Sequence, residues 1–348
     1  MKEKNHSKIW QDTTVIAELL REPPKPIAII THLDADGDAI GSSLGLLKLL
    51  NNIGHACKVI SPNEYPGFLK WLPGNQHILN FDESPDNVRE VLQQARIIFA
   101  LDFNELKRIK EINQLLIATS SYKILIDHHP QPDKFVDCVL SDISASSTAE
   151  LIYRFIQETG LQDYIDKDVA TCLYTGIMTD TGCFSYNSSN RETYKIVAEL
   201  LDYGIDKDKI YYRVYDNFSF ERLRLLGYSL NKRMVVLPEY RTAFIWLTRE
   251  DLSEYHFKVG DSEGFVNYPL SIRGIRFSAF FIEKEDHIKI SFRSKGNFAA
   301  NKFSRKYFNG GGHFNASGGE SYMPMEETIR RFKELLPAYK NELLDYED

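Results

Sequence analysis

Three short stretches of the chain are nearly continuous apolar runs that end directly in aspartate or histidine: PIAIITHLDADGD (26–38), RIIFALD (96–102) and YKILIDHH (122–129). A fourth, VDCVLSDI (136–143), is strand-like in the same way. Runs of Ile, Leu, Val and Phe without polar alternation suit strands covered on both faces, as in a parallel sheet. The stretch from Asp38 to Ile53 reads as a helix closed by Gly54, and CKVI (57–60) reads as the next strand, giving a β-α-β unit. The fold class is therefore α/β. In an open parallel sheet, ligands bind beyond the carboxyl ends of the strands. The segment His32 to Asp38, Asp102, and Asp127-His128-His129 are thus expected to meet along one edge.

Further on, SSTAELIYRFIQETG (146–160) opens with a capping box of Ser147 and Glu150 and stops at Gly160. A second helix starts near Asp166 and runs into TGIMTDTGCF (175–184). Charged helical sequence from Asp206 to Lys232 reads as a connector, after which MVVLPEYRTAFIWL and IRFSAFFIEKEDHIKISFRS read as strands, followed by a Gly-rich loop and a closing helix near 325–345. This divides the 348 residues into a parallel-sheet domain (1–205), a helical linker (206–232) and a smaller α+β domain (233–348). The polar start MKEKNHSKIWQDTT has no signal-peptide core, and no apolar stretch approaches the roughly 20 residues of a membrane span. The expectation is a cytoplasmic protein without a membrane partner. Cys57, Cys138, Cys172 and Cys183 show no C-x-x-C pairing and are expected to be buried reduced thiols.

The acidic strand ends need a physical reason. Carboxylates at close quarters repel one another unless water or a cation screens them. Taken alone, DADGD is also a loop with a helix N-cap, but that reading does not explain why Asp102 and the Asp127-His128-His129 triplet recur at the same end of the sheet. Converging Asp and His without thiolate suit a hard or borderline divalent cation, Mn²⁺ first, with Mg²⁺ or Co²⁺ as alternatives. So many carboxylates fit two ions about 3.5 to 4 Å apart, an arrangement used in phosphoester hydrolysis.

HLDADGDAIGS, LDF, IDHHP, TDTG and GGGHFNASG occur in the order and approximate spacing of the DHH/DHHA1 phosphoesterases. The chain resembles the subgroup of bifunctional oligoribonucleases and pAp phosphatases over nearly its whole length. The resemblance implies that His32, Asp36, Asp38, Asp102, His128 and Asp180 are metal ligands, with Asp102 the foremost candidate for the bridge between two ions and Asp180 the second. It also implies catalytic roles for Asp102, His128, His129 and Asp180. Asp127 is expected to orient its neighbours, and His129 to bond a substrate phosphate or protonate the leaving oxygen. Members usually read His-x-x-Pro-Asp-Gly-Asp; here Ala35 replaces proline and Asp34 adds a carboxylate. RecJ-type nucleases use a D-x-D-x-D-G arrangement, so Asp34 is weighed as a further ligand against an outward-facing loop residue. His55 and His77 match no motif and are expected to be structural or exposed.

The net charge of −7 argues against coating long duplexes. From His287 to Gly319, however, there are six Lys or Arg and no Asp or Glu. Arg293 and the loop Gly310, Gly311, Gly312 and His313 are the expected substrate grip: a guanidinium binds phosphate bidentately, and successive backbone N–H groups form an anion nest. Among the interleaved Phe292, Phe298, Phe303, Tyr307, Phe308 and Phe314, most are expected in the core and one or two on a base. The implied enzyme is an Mn-dependent hydrolase with its cleft between two domains, acting on short RNA, pAp or pApA, with a homodimer left open. The rival readings are a cyclic-dinucleotide phosphodiesterase, a pyrophosphatase or exopolyphosphatase, and a nucleotide-binding protein without catalysis.

Overall fold

The computed structural model describes residues 8–345, and the first residues of the polar start lie outside them. It divides into two compact units, 1–217 and 218–348. The first runs β1 (Lys8–Trp10), α1 (Thr14–Arg21), β2 (Pro26–Ile30), α2 (Gly37–Ile53), β3 (Ala56–Ser61), β4 (Ile78–Asn80), α3 (Pro85–Gln94), β5 (Ile97–Leu101), α4 (Ile112–Ala118), β6 (Tyr122–Asp127), β7 (Cys138–Asp142), α5 (Thr148–Glu158), α6 (Lys167–Asp180), α7 (Arg191–Asp202) and α8 (Lys207–Tyr215). The second runs α9 (Phe220–Lys232), β8 (Met234–Leu237), β9 (Thr242–Leu247), α10 (Arg249–Glu254), β10 (Phe277–Glu283), β11 (Ile288–Ser294), α11 (Ala300–Tyr307), β12 (Gly311–Gly312), β13 (Ala316–Ser321), α12 (Met325–Leu335) and α13 (Lys340–Leu344).

The sheet of the first unit has the order β1-β7-β6-β5-β2-β3-β4. Its strands are parallel except β1, a three-residue edge strand antiparallel to β7 that is too short to show a period in the sequence. Both faces are covered, as the unbroken apolar runs require. Ile27 and Ile29 of β2 join Phe99 and Leu101 of β5 in one core with α2, α5 and α6. Ala28, Ile30, Ile98 and Ala100 face the other way, against Val88 and Leu92 of α3 and Ile112 and Leu116 of α4. The strand order reverses between β2 and β5, which are neighbours in the sheet. The His32 loop and Asp102 leave the sheet there, side by side.

α2 and α6 cross at very short range. A Cβ on Gly41 would stand 2.7 Å from the carbonyl oxygen of Cys172 and 2.8 Å from the amide nitrogen of Gly176. Glycine at 41 therefore lets the α6 backbone lie against α2, and Asp180 ends α6.

The segment read as a linker is two helices: Ile210 and Val214 of α8 pack into the core of the first unit, and Leu225 of α9 into a core of the second. In the second unit the sheet order is β12-β13-β11-β10-β9-β8, with β9 and β10 parallel and the other pairs antiparallel. Phe277 and Phe281 of β10 pack with Phe303 and Phe332 on one face, and Phe280 and Ile282 with Phe265 on the other.

Candidate metal centre

Asp36 is the N-cap of α2: its Oδ1 accepts from the amides of Asp38 (3.0 Å) and Ala39 (3.1 Å). The cap reading is thus correct for this residue, and it leaves the second carboxylate oxygen for another partner. Asp38, in the first turn and buried, accepts at both oxygens from the start of α5, Thr148 N–H at 2.6 Å and Ala149 N–H at 2.9 Å. A helix N-terminus favours an anion through its free amides and dipole. Asp102 follows β5 with φ +64°, a left-handed conformation that aspartate tolerates better than most residues. Its Oδ1 accepts from the Thr148 hydroxyl at 2.9 Å.

The histidines are oriented from behind. His32 Nδ1 donates to the carbonyl of Leu33 at 2.7 Å, leaving Nε2 buried and without a hydrogen-bond partner, 3.4 Å from Asp102 Oδ2. His128 Nδ1 faces the carbonyl of Ala145 at 3.4 Å. Its Nε2 looks into three carboxylates, Asp102 at 3.5 Å, Asp180 at 3.6 Å and Asp38 at 3.8 Å. The backbone carbonyl behind each ring selects the tautomer whose Nε2 is free to act as a ligand.

Within the first unit three sets of side chains bring ligand atoms within 4.8 Å of one another: His32, Asp36 and Asp102; Asp38, Asp102 and His128; Asp102, Asp127 and His129. Asp102 belongs to all three. Burial, and then the charges of Asp102 and Asp180, push the Asp38 carboxyl well above the usual range. Burial acts on Asp102 in the same sense, but the imidazoles of His128 and His32 outweigh it and hold that carboxyl well below. Burial resists a charge on His128, yet Asp102, Asp180 and Asp38 raise it well above an ordinary histidine. The cluster has more negative charge than its own side chains neutralise. With the bare His32 Nε2, this fits divalent cations held by His32, Asp36, Asp38, Asp102, His128 and Asp180.

His129 is engaged at both ring nitrogens. Its Nδ1 donates to Asp127 Oδ1 at 2.7 Å, while its Nε2 lies 3.1 Å from a guanidinium nitrogen of Arg108 and so accepts. Burial, then the Arg108 charge, hold it well below an ordinary histidine. Asp34 is exposed and exchanges two hydrogen bonds of 2.8 Å with Asn63, outside the sets that converge. Three cysteines are buried, but Cys183 is exposed on the turn after α6. His55 is structural: it accepts from the Lys25 amide and donates to the Leu20 carbonyl.

The structure adds participants the sequence did not single out: Arg108, Thr148, the Ala145 carbonyl, and Glu150 in a different role. The Ser147 hydroxyl accepts from Glu150 N–H at 3.1 Å, but the Glu150 carboxylate reaches past the cap to Ser146 N–H (3.1 Å) and hydroxyl (2.7 Å), Thr193 (2.7 Å) and Arg154. Half of the expected capping box is replaced by a buried network that fixes the loop carrying Ala145 and Thr148. The Ser-Ser-Thr helix start was the available signal for this anion-binding helix end.

In the second unit Arg293 lies on β11 between Ser278 and Ala316, half-buried, with Nη1 donating to the Phe292 carbonyl at 3.0 Å. Gly311 and Gly312 form a short strand opposite Gly318 and Ser317, and Gly310 N–H donates to Ser304 at 3.3 Å. The loop expected as an open nest is thus partly engaged in a ladder. A Cβ on Gly310 would stand 1.8 Å from the Ser304 hydroxyl and 2.0 Å from the Gly318 carbonyl, so only glycine fits. Half-buried His313 follows at the turn. Phe292, Phe298, Phe303 and Phe308 are core residues, whereas Phe314 is exposed.

The N-terminal domain of the DHH family matches residues 26–177, and the DHHA1 domain matches residues 247–342. The bifunctional oligoribonuclease and PAP phosphatase NrnA of Thermus thermophilus is 31% identical over 96% of this chain and 95% of its own. The chain belongs to the DHH/DHHA1 family. The protein of the same name in Bacillus subtilis is 29% identical over 85% of this chain and 89% of its own. The crystal structure of an exopolyphosphatase-related protein from Bacteroides fragilis superimposes with a TM-score of 0.89 at 47% identity, covering 95% of this chain and 97% of that one. In this DHH/DHHA1 chain, the acid and histidine cluster falls in the DHH unit and the Gly-rich loop in the DHHA1 unit. Among the described residues, no helix is long and apolar enough to cross a membrane.

Proposed function

We propose that this chain is a phosphoesterase with two divalent ions, Mn²⁺ first, that hydrolyses short oligoribonucleotides and nucleotide phosphates such as pAp. The observation that carries the reading is the convergence of His32, Asp36, Asp38, Asp102, His128 and Asp180, with Asp102 common to every ligand set of the first unit. The NrnA relatives, matched over nearly their whole length, are named for both substrates. When bound, such ions supply an activated water and offset the charge that develops on the phosphoryl oxygens. The chain's own work is to orient the ligands. Ala145 and Leu33 turn the two imidazoles, and Thr148 and Ala149 hold Asp38. Arg293 and the Gly310–His313 segment hold the terminal phosphate or nucleotide.

One panel tests this reading: pAp, a three-residue RNA, pApA, cyclic di-AMP, pyrophosphate and polyphosphate, each incubated with Mn²⁺ and with chelator. The expected result is turnover of pAp and short RNA that disappears on chelation and returns with Mn²⁺. Turnover confined to cyclic di-AMP or polyphosphate would replace the substrate assignment, and full activity in verified metal-free protein would overturn the mechanism.

A further inference from the structure

Arg108 sits on the single turn Leu106–Ile109 that follows Asp102. Its backbone is fixed on both sides, with N–H donating to Glu105 O at 3.0 Å and C=O accepting from Leu33 N–H at 2.8 Å in the loop that carries His32. The side chain is half-buried and donates through Nη1 to His129 Nε2 at 3.1 Å. His129 is held in turn by Asp127, and its Nδ1 lies 3.6 Å from Asp102 Oδ1. The guanidinium is therefore one imidazole away from the residue shared by the three ligand sets of the first unit.

A permanent cation held one imidazole away from the buried Asp102 and Asp127 would ordinarily pair with a carboxylate. Among the described residues Arg108 makes no ion pair. Its guanidinium donates to the His129 ring instead, which orients the planar fork without pairing its charge. A guanidinium has five donors, and one is spent on His129. Among the described residues the other four make no hydrogen bond, and the half-buried side chain leaves them to an incoming anion.

We infer that Arg108 binds a non-bridging oxygen of the substrate's phosphoryl group, with the Asp127–His129 pair holding its fork in position. The inference rests on the phosphoesterase reading. It assigns the charged contact at this edge to Arg108 and makes His129 a positioning residue.

The test compares wild type, Arg108→Lys, Arg108→Gln, His129→Gln and the Arg108→Gln/His129→Gln double variant, as full chains. Three quantities are measured: kcat/KM for pAp, calorimetric binding of inorganic phosphate to Mn²⁺-loaded protein, and Mn²⁺ affinity. Losing a charge-assisted hydrogen bond predicts about a 10- to 100-fold fall in kcat/KM for Arg108→Gln. Phosphate binding should weaken in parallel while Mn²⁺ affinity stays within about threefold, and Arg108→Lys should recover only part, since an ammonium lacks the planar fork. On the His129→Gln background the Arg108→Gln change should still weaken phosphate binding. If it has no effect there, Arg108 acts only through His129 and the inference fails. Wild-type phosphate affinity in Arg108→Gln also overturns it. Absence of wild-type turnover on every substrate would count against the phosphoesterase reading alone, because the phosphate-binding comparison still decides the role of Arg108.

Discussion

At the residue scale the centre is organised around Asp102. It is the member common to the three ligand sets, it has a left-handed backbone, and Thr148, His32 and His128 surround its two oxygens. If it bridges two ions, Asp102→Ala removes a ligand from each. Activity on pAp should then fall by at least about 10³-fold, because several kcal/mol of transition-state stabilisation is lost. The Mn²⁺ stoichiometry, read by metal analysis, should fall with it while the circular dichroism spectrum is retained. A folded variant with more than about a tenth of the wild-type turnover would remove the bridging role. The sequence displays Asp102 through its position at a strand end. It does not display Arg108, because a Lys-Arg pair in a short polar turn looks like ordinary solvated surface. The role of His129 was hidden for a related reason: whether an imidazole donates or accepts is set by its two neighbours in space, here Asp127 from the same strand end and Arg108 from twenty-one residues earlier.

Elements place these residues by backbone contact more than by side-chain choice. The β2, β5 and β6 runs are readable because burial on two faces leaves no room for polar residues, and the α2 boundary is readable from its acidic cap and Gly54. β1 and the engaged Gly-rich strand are not, since two or three residues carry no period. The α2–α6 approach depends on Gly41. Gly41→Ala puts a methyl group against α6 backbone, which cannot rotate away, so the helices must separate and Asp180 must withdraw from His128. Overpacking of this kind costs about 1–3 kcal/mol, and the variant should both melt at lower temperature and bind Mn²⁺ more weakly. Unchanged melting would mean the crossing is looser than the distances indicate. A second element, α10, makes a pH prediction. Asp251 closes its capping box with Thr248 and also accepts from Tyr228 and Arg233, each at 2.7 Å. Burial works to raise its carboxyl, but the Arg233 hydrogen bond and its companions hold it below the ordinary value of 3.8. A carboxyl depressed on folding stabilises the native state above its unfolded value, and that stability is lost as pH falls through the folded value. Asp251→Asn should therefore lower stability near pH 7 by about 1–3 kcal/mol, with the gap from wild type narrowing below pH 3.8. A gap that stays constant from pH 7 to pH 3 in denaturant titrations would assign the effect to shape and not to charge.

At the scale of the whole molecule, the proposed metal chemistry and the proposed substrate grip fall in different parts of the chain. The proposed ligand set lies between His32 and Asp180, and the acid-free stretch between His287 and Gly319. The change of architecture between the halves was legible because hydropathy changes from unbroken runs to strands with charged connections, while the helices between them pack into the cores of the compact units. The division gives a test that a general loss of stability cannot imitate. Arg293 is held in the middle of a three-strand ladder by β10 and β13, and its charge has no ligand role in the metal centre. If it grips a substrate phosphate, Arg293→Ala should leave Mn²⁺ stoichiometry and affinity unchanged and lower kcat/KM on pAp and short RNA by about 10- to 100-fold, the value of a charge-assisted contact. Arg293→Lys should also be impaired, because Nη1 now donates to the Phe292 carbonyl and a lysine cannot keep that bond while presenting a second donor in the same plane. His313→Ala should lose less if the glycine backbone carries most of the binding. Steady-state kinetics on both substrates beside a Mn²⁺ titration decide the matter. Unchanged kinetics in Arg293→Ala would remove the residue from the substrate site, and lost Mn²⁺ binding would show that the two functions are not divided between the halves of the chain.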